Sequence, residues 1–448
     1  MGFRLSEHKS IVLELSDGQI VQSKRFNQSS HCFLATKSEL GIEIQADYCI
    51  GLDWLGKTAR SLYVEPKINA ASAKRFNQII EEVPFQKTEN LSDEIDSSTE
   101  FELDYLKMLL QVTNVPESNA VINGLLQIDW DAQPIEIKQK EDKLTPFLIV
   151  RFLQTLKMIV QKGLKKNYYK EQNNLSNRVK GKILIGQHIK QNVFKNRLTT
   201  TYCEYQVFGE DHNENRFLKK ALLFASLFME NHSDLFGENL KEMQHTINYC
   251  RPAFELISSE VNDYDLKHTK YNPFYKDYNI ALQIGQQILK KFAYNITQTS
   301  LKTVASPPFW IDMPRLFELY IYSKMIEANP NYKKEIHYQF STYGNTLDIL
   351  VSKSDSQMVI DAKYKLHYQN GHLHEDIRQV AGYARLNKVR EKLKANENKN
   401  IDCLIIYPNM ENGITELTLE NIIQFRKEIK AYYKVFKLGI KLPLINPL

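Results

Sequence analysis

The C-terminal third of the sequence has a spacing of apolar residues that few folds satisfy. Two stretches repeat apolar residues every three or four positions and are typical of helices, RLFELYIYSKMIEA at 315–328 and a longer one at 374–393. Short stretches with alternating or continuous apolar residues, typical of strands, lie at 335–340, 345–352, 357–366 and 402–408. The order helix, three strands, helix, strand predicts an α/β core in which helices flank a sheet.

Two of these strands carry aspartates thirteen residues apart, Asp348 and Asp361. A tight loop around residues 354–356 would pair the strands and bring both carboxylates to one end of the sheet. Two carboxylates and the backbone carbonyl of Ala362 are hard oxygen ligands that suit Mg²⁺, with Mn²⁺ as the alternative. Lys363 falls on the same strand face as Asp361, where it can orient an attacking water and stabilise a pentavalent phosphate.

Two further side chains fit the same site. Glu318, on the preceding helix, could add a metal ligand through a water, and Gln379, on the following helix, could assist. The alternative is that Asp348 and Asp361 are solvated residues at strand ends with Lys363 as an ion-pair partner. Burying two carboxylates costs several kcal/mol unless they bind a metal or pair, and this cost favours a metal-dependent nuclease site.

Size and composition indicate a soluble, multidomain protein of a reducing compartment. The 448 residues suffice for two or three domains, and no apolar run is long enough to span a membrane. The N-terminus lacks the apolar stretch of a secretory signal. The cysteines are odd in number and form no CxxC pair, which favours the cytoplasm over a disulfide framework and argues against structural zinc.

The changes of pattern along the chain predict an α+β multidomain fold with three regions. Residues 1–100 form a small β-rich domain that ends in a polar, acidic linker at 86–100. Residues 101–305 are largely helical, with a short strand-like piece at 178–189. The rigid break SPPFW opens the third region, 306–448, which holds the candidate nuclease core.

Positive charge is concentrated in the middle region. Residues 151–200 contain twelve Lys or Arg and one acid, so their local charge is 12 − 1 = +11, although the whole chain carries only +5. Aromatic residues alternate with these charges, which favours DNA or an anionic protein partner over a merely solvated helix face. The candidate contacts are Lys165, Lys166, Arg178, Lys180 and Lys182.

The stretch GLDWLGKT at 51–58 fits the phosphate-loop pattern, but its surroundings do not. A phosphate loop leads into a helix, whereas Leu62 and Val64 alternate as in a returning strand. The loop interior is bulky, and no later strand ends in a suitable aspartate. The stretch is therefore predicted to be a β-hairpin tip with Trp54 exposed or half-buried.

Two histidine patterns suggest other kinds of metal-dependent site, but each has weaker support. His367, His372 and His374 could form a transition-metal site, although such a segment is more often a solvated loop. His212 lies in EDHNEN but lacks the flanking pattern of a zinc-supported HNH nuclease.

Taken together, these motifs resemble the McrC family, the nuclease subunits of McrBC modification-dependent restriction systems, within the PD-(D/E)xK superfamily. The resemblance covers most of residues 105–448 and, more loosely, 1–85. One departure is Leu347, which stands where many superfamily members have a proline. The stretches that carry the resemblance are VIDAKYK at 359–365 with Asp348 upstream, the helix with Gln379 and Tyr383, IYP at 406–408, RVKGKILIGQHIKQN at 178–192, EDHNENRFLKKAL at 210–222 and YVEPKI at 63–68.

The resemblance implies a catalytic subunit, and the composition predicts that it is cytoplasmic and has no membrane contact. McrC-like proteins act with McrB, an AAA+ GTPase ring; they insert part of themselves into the ring, stimulate hydrolysis and cut modified double-stranded DNA. The alternatives are a non-cleaving subunit that regulates an AAA+ NTPase and a self-sufficient defence nuclease. The intact Asp348, Asp361 and Lys363 favour cleavage.

Overall fold

The computed structural model describes the chain in fifteen segments and divides it into two compact units. Unit 1 combines Met1–Glu136 with Ser306–Leu448, and unit 2 is Ile137–Ala305. Both units contain helices and sheets, so the mixed α+β, multidomain fold class is confirmed. The described segments are 2–13, 21–27, 30–38, 41–56, 60–69, 100–113, 115, 124–138, 142–236, 240–261, 273–296, 303–342, 344–364, 372–396 and 399–445.

The N-terminal part of unit 1 consists of two β-sheets around a shared apolar core. Buried side chains from both sheets, such as Phe33, Ile44 and Leu62, pack in this core together with Trp310. One sheet has the strand order Ser10–Leu13, Gly41–Ala46, His31–Ser38 and Lys24–Arg25. The other has the order Phe3–Ser6, Ser61–Glu65, Cys49–Trp54, Phe309–Asp312 and Leu126–Ile128. A further strand pair in this part is Lys67–Asn69 with Glu100–Glu102.

The C-terminal part of unit 1 is built on a six-stranded mixed sheet, called here the C-terminal sheet. Its strand order is Ile336–Thr342, Asn345–Val351, Met358–Ala362, Asp402–Pro408, Val435–Ile440 and Lys427–Glu428. The first three strands are antiparallel neighbours, and the next two pairings are parallel. Among the described residues, the α-helices of unit 1 are Tyr105–Thr113, Met313–Ala328, His372–Tyr383, Asn387–Lys392 and Leu419–Phe425. The helix predicted at 374–393 is thus two helices, because Leu386 has an extended backbone.

One strand joins the N-terminal and C-terminal segments of unit 1. Phe309–Asp312 pairs antiparallel with Cys49–Trp54, and the Trp310 indole N–H donates to the Asp53 carboxylate at 2.8 Å. The boundaries predicted at residues 100 and 305 stay a prediction, but the first and third predicted regions share this sheet. The predicted linker at 86–99 lies outside the described residues.

The stretch GLDWLGKT forms the hairpin that was predicted, as far as it is described. Cys49–Trp54 pairs antiparallel with Ser61–Glu65, and Trp54 is half-buried. Both glycines serve this β-structure. A Cβ on Gly51 would lie 2.0 Å from the Phe309 carbonyl oxygen, and Gly56 adopts a φ of 59° in the turn. Lys57 and Thr58 lie outside the described residues.

Unit 2 is built around long helices that bury apolar stripes against one another. Phe152, Phe217 and Ala221 meet at Gly285, where a Cβ would lie only 3.0 Å from the Phe217 ring. Its α-helices are Leu144–Lys162, Ile185–Gln191, Asn213–Asn231, Leu240–Cys250 and Lys276–Ile296. Within the described residues, only Leu144–Lys162 has the length and composition of a membrane span, and 67% of that stretch is buried in the unit. Core helices commonly meet the same criteria, so this is weak evidence for a span.

A three-stranded sheet interrupts these helices. Asn167–Ser176 pairs with Thr200–Gly209 over ten residues, and Lys182–Ile183 pairs with the second of these strands. Residues 167–209 are called the hairpin module below. The prediction of a largely helical middle region missed this sheet, and the strand predicted at 178–189 was mostly wrong. Only Lys182–Ile183 is a strand, and the helix Ile185–Gln191 follows it.

Candidate functional site

The strands Asn345–Val351 and Met358–Ala362 bring Asp348 and Asp361 to the same end of the C-terminal sheet. They pair antiparallel through Ile349–Ile360, and the connection turns at residues 353–356, as the sequence predicts. The Asp348 carboxylate accepts a hydrogen bond from the Ala362 amide at 2.8 Å. This bond fixes the carboxylate beside the backbone that follows Asp361.

A local irregularity in the sheet lies opposite Asp348. The neighbouring strand pairs through Tyr338–Ile349 and Phe340–Leu347 and skips Gln339, which has a φ of 48°. A non-glycine residue in this region of φ is uncommon, and the strands keep the same register on both sides of it, so the distortion is confined to Gln339. No signal in the sequence announces this distortion.

Asp361 is buried next to a single cation. Its exposed fraction is 1%, and the Lys363 ammonium lies 3.0 Å from its Oδ2. Within the part of the chain that the structure describes, neither carboxylate oxygen accepts a directed hydrogen bond. A buried carboxylate without hydrogen-bond donors is costly, so these oxygens suit a ligand that supplies positive charge.

Lys363 is held in place by the helix His372–Tyr383. Its ammonium donates to the Gln379 side-chain oxygen at 3.1 Å and lies 3.9 Å from the Asp376 carboxylate. Gln379 in turn donates to the Tyr383 hydroxyl at 2.7 Å. The helix therefore orients the lysine through Gln379 and leaves the ammonium partly exposed, at 18%.

The charges of the site shift one another's pKa values. Burial raises the pKa of Asp348 well above its ordinary value, and the charges of Glu318 and Asp361 raise it further. Burial also raises the pKa of Glu318 to about 7, against the attraction of Lys363. Burial alone would lower the pKa of Lys363, but the surrounding carboxylates outweigh it and keep the amine charged. Glu318 therefore lies within electrostatic range of the other three residues.

The donors present suit a hard divalent cation. Mg²⁺ is commonly held in proteins by one or two carboxylates and several waters. Asp348, Asp361 and the Ala362 carbonyl provide such a set, and the unsatisfied Asp361 oxygens are consistent with it. Over the described residues, no group of three His, Cys, Asp or Glu side chains converges on one metal position. A site of two carboxylates and one carbonyl does not require such a group.

The N-terminal segment reaches this end of the sheet as well. Tyr364, the residue after Lys363, donates its hydroxyl to the buried Glu7 carboxylate at 3.0 Å. Burial raises the pKa of Glu7 to about 8, against the effect of that hydrogen bond. The sequence analysis missed this contact, because residues so far apart in the chain leave no periodic signal.

Asp376 was also missed, although a signal existed. It lies three positions before Gln379 on one helix, and residues at that spacing share a face. The structure places both beside Lys363. By contrast, His374 pairs with the Tyr432 hydroxyl at 2.8 Å, and His367 lies outside the described residues.

The predicted DNA or partner contacts fall into two groups in unit 2. Lys165 is largely buried and pairs with Glu214 at 2.7 Å, so its charge is compensated inside the unit. His212 is also structural, since its ring contacts the Lys165 carbonyl at 2.8 Å. The exposed candidates are Lys166, Arg178, Lys180 and Lys182.

The chain was compared with solved structures, with curated proteins and with protein families. Two chains of solved structures from Thermococcus gammatolerans are similar at low identity. One belongs to the refined half-complex from a tetradecameric assembly of McrB AAA+ hexamers with bound McrC; identity is 14%, coverage is 98% of this chain and 94% of that chain, and the TM-score is 0.38. The other belongs to the McrBC complex studied by cryo-EM, with 13% identity, coverage of 73% and 88%, and a TM-score of 0.29. No curated protein matches the sequence.

The family comparison covers the larger part of the chain. The family described as "McrBC 5-methylcytosine restriction system component" matches residues 123–408, which is more than half of the 448 residues. This span includes the hairpin module and all of the site residues from Glu318 to Gln379. The chain therefore belongs to the McrBC restriction system component family.

Proposed function

We propose that the chain is the DNA-cleaving subunit of a McrBC-type restriction system, with a PD-(D/E)xK nuclease core in the C-terminal part of unit 1. The observation that carries the proposal is the convergence of Asp348, Asp361 and Lys363 at one end of a mixed sheet. Gln379 holds the lysine there. The substrate is double-stranded DNA, modified as the family description suggests.

Each side chain has a distinct role in this proposal. Asp348, Asp361 and the Ala362 carbonyl would hold Mg²⁺ or Mn²⁺, which supplies an acidified water and neutralises charge on a phosphoryl oxygen. Lys363 stays protonated and donates to the attacking water or to the phosphate. Gln379 orients Lys363, and Glu318 accepts a hydrogen bond from a water at the edge of the site. The scissile phosphate approaches the partly exposed ammonium.

A partner is expected because the family describes a component of a system. The hairpin module carries apolar side chains on its outside, including Phe194 at 81% and Leu198 at 83% exposure. Its inside contains polar side chains beside the buried Leu175 and Cys203. The fully buried Asn192 exchanges hydrogen bonds with Asn174 at 2.7 Å and accepts one from Thr200 at 2.9 Å. A module of this kind is suited to being covered by another protein.

We assign this surface to an McrB-like AAA+ GTPase ring, whose nucleotide hydrolysis the subunit would stimulate. Residues 167–209 contain seven basic and two acidic side chains, so the module carries 7 − 2 = +5. An acidic channel in a ring would complement that charge. The exposed Lys166, Arg178, Lys180 and Lys182 are then contacts to the ring or to DNA.

The runner-up is a regulatory subunit that binds the ring without cutting DNA. The hairpin module supports that function equally well. A silent nuclease fold, however, would not need a lysine held between Asp361 and Gln379, since a buried cluster of charges destabilises the fold unless it has a use. A self-sufficient nuclease is less compatible with the exposed apolar module.

Substitution of Lys363 tests the proposal. We expect Lys363→Ala to abolish DNA cleavage by the complex with Mg²⁺ and nucleotide, a loss of at least a hundredfold, because a transition-state contact is removed. Binding to the ring should persist. The matched control is Lys353→Ala, which removes an ammonium paired with Asp355 at the turn of the same strand pair. Cleavage by Lys363→Ala at the control's rate would refute the nuclease assignment.

A further inference from the structure

The helix His372–Tyr383 carries a glycine where the fold does not need one. Gly382 is exposed to solvent in the last turn of this helix. A Cβ at this position would meet no atom of the described chain within 4 Å. Its φ lies outside the left-handed region, so the backbone does not require glycine either. Because glycine destabilises a helix relative to alanine, the missing side chain points to a contact from outside the chain.

The surface around Gly382 is continuous with the candidate site. Gln379 precedes the glycine by three residues, is exposed, and accepts a hydrogen bond from the Lys363 ammonium at 3.1 Å. Residues three apart are neighbours on one helix face, separated by about 4.5 Å along the axis. The Lys363 side chain is itself 18% exposed. A molecule that reaches Lys363 from solvent can therefore extend across Gly382 along the surface of the same helix.

Two exposed arginines border Gly382 on the side away from Gln379. Arg378 precedes the glycine by four residues, and Arg385 follows it by three, in the turn that continues the helix. Around the helix axis, Arg378 lies about 40° from Gly382 on one side and Gln379 about 60° on the other. Neither guanidinium forms an ion pair or a hydrogen bond with a residue that the structure describes. Gly382 thus lies low between longer polar side chains.

The charges favour a DNA strand as the molecule that covers this face. The exposed acid of the helix, Glu375, lies in its first turn, about 10 Å along the axis from Gly382. Guanidinium groups bind phosphate oxygens through their planar fork, and glycine permits the close approach of a ligand to the backbone. The surface also leads directly to Lys363, whose ammonium contacts the scissile phosphate in the proposed function. This continuity favours DNA over a surface of the ring.

We propose that the face formed by Arg378, Gln379, Gly382 and Arg385 binds the DNA strand beside the point of cleavage. The sugar–phosphate backbone passes over Gly382, and the two arginines bind phosphates next to the scissile one. Both arginines position the strand and take no part in the proton transfers. The inference rests on the proposed nuclease function and adds the path that the strand follows across the protein.

A longer side chain at Gly382 tests the close approach. Anisotropy of a labelled duplex is measured with the full chain and Ca²⁺ in place of Mg²⁺, and a gel verifies that the duplex stays intact. Gly382→Gln should weaken DNA binding about tenfold, because the new side chain holds the strand away. It should also raise the melting temperature by about one to two degrees, because glutamine is a better helix former. Gly382→Ala should raise the melting temperature as well but weaken binding less.

Removal of the two arginine charges tests the phosphate contacts. The paired substitution Arg378→Gln and Arg385→Gln should weaken binding at least tenfold and lower the slope of log Kd against log salt by about two. The matched control is the pair Lys333→Gln and Lys334→Gln. It removes two exposed charges at the end of the C-terminal sheet opposite the site, and it should bind DNA like the unaltered chain.

The outcomes separate this inference from the nuclease assignment. Unaltered DNA affinity in either Gly382→Gln or the arginine pair would refute the inference. A Gly382→Gln variant that melts at a lower temperature would refute it too, because the glycine would then serve the fold. Loss of ring binding with intact DNA binding would assign the face to the partner, and failure of the unaltered chain to bind the duplex at low salt would leave it without a DNA contact. Cleavage by Lys363→Ala would instead overturn the proposed function, whatever these variants do.

Discussion

A single residue, Asp361, concentrates the electrostatic cost of the site. Its side chain is almost fully buried, the Lys363 ammonium lies 3.0 Å from one of its oxygens, and burial raises its pKa against the attraction of that lysine. Like charges on Asp348 and Glu318 add to the cost. Active sites often accept such a cost because a ligand later relieves it.

We therefore expect Asp361→Asn to stabilise the protein without metal and to remove its response to metal. The amide is neutral and can donate to the neighbouring carboxylates, so the melting temperature in a chelator should rise by a few degrees. Addition of Mg²⁺ should raise the melting temperature of the unaltered chain but not that of the variant.

The control is Asp355→Asn, which changes an exposed carboxylate at the turn between the same two strands. It should melt like the unaltered chain and respond to Mg²⁺ in the same way. An Asp361→Asn variant that retains the full response to Mg²⁺ would remove Asp361 from the metal site.

For single residues, the sequence predicted the centre of the site but not its surroundings. Asp348, Asp361, Lys363 and Gln379 could be found because strand order and spacing bring them together. Glu7 could not, since its position depends on a contact between distant segments. Burial of the Asp361 oxygens is likewise visible only in three dimensions.

Among the elements, the hairpin module makes the sharpest prediction. The paired substitution Phe194→Ser and Leu198→Ser should weaken binding to the ring at least tenfold and reduce stimulation of its nucleotide hydrolysis. Both side chains are mostly exposed, so the melting temperature should stay the same. Binding is measured by pull-down and titration with the purified ring.

Leu256→Ser is the matched control, because Leu256 is 95% exposed in unit 2 but lies outside the module. Equal binding by the paired variant and the control would show that the module does not face the ring. Charge reversal at Arg178, Lys180 and Lys182 tests whether these residues contact the ring or DNA. Binding to the partner that they contact should lose its dependence on salt.

The elements that the sequence predicted are those that bury an apolar stripe. Leu144–Lys162 and Asn213–Asn231 show the helical spacing because one face packs in the core of unit 2. The strands of the hairpin module are held mainly by their mutual backbone pairing and by polar side chains, so their apolar residues follow no core-facing period. The helix break near Leu386 is accompanied only by Gly382, and a single glycine is also tolerated inside a helix, so the sequence did not mark the break clearly.

For the molecule as a whole, Glu7 links stability to pH. Its pKa in the folded chain is raised from 4.5 to about 8. Between these two pH values the folded chain therefore holds a proton on Glu7 that the unfolded chain has released. Stability from this group is therefore greatest at acidic pH and is lost as the pH rises through about 8. In a chelator, the melting temperature should fall between pH 6 and pH 8.5.

Glu7→Gln should flatten that fall, because the amide keeps the size of the side chain and can still accept from Tyr364 without titrating. The exposed Glu102 provides the control variant Glu102→Gln, which should retain the full pH dependence. If Glu7→Gln and Glu102→Gln lose stability equally with rising pH, the Glu7 carboxyl does not contribute to the pH dependence.

The strand Phe309–Asp312 has a consequence for biosynthesis. Asp53 and Trp310 are 257 positions apart, yet they share one hydrogen bond in one sheet. A nascent chain on the ribosome must therefore keep the edge of Cys49–Trp54 unpaired until all of unit 2 has been translated. A transcript that ends early yields a polypeptide with an open sheet edge and without the candidate site. Incomplete subunits should thus be removed by proteolysis before they can occupy a partner.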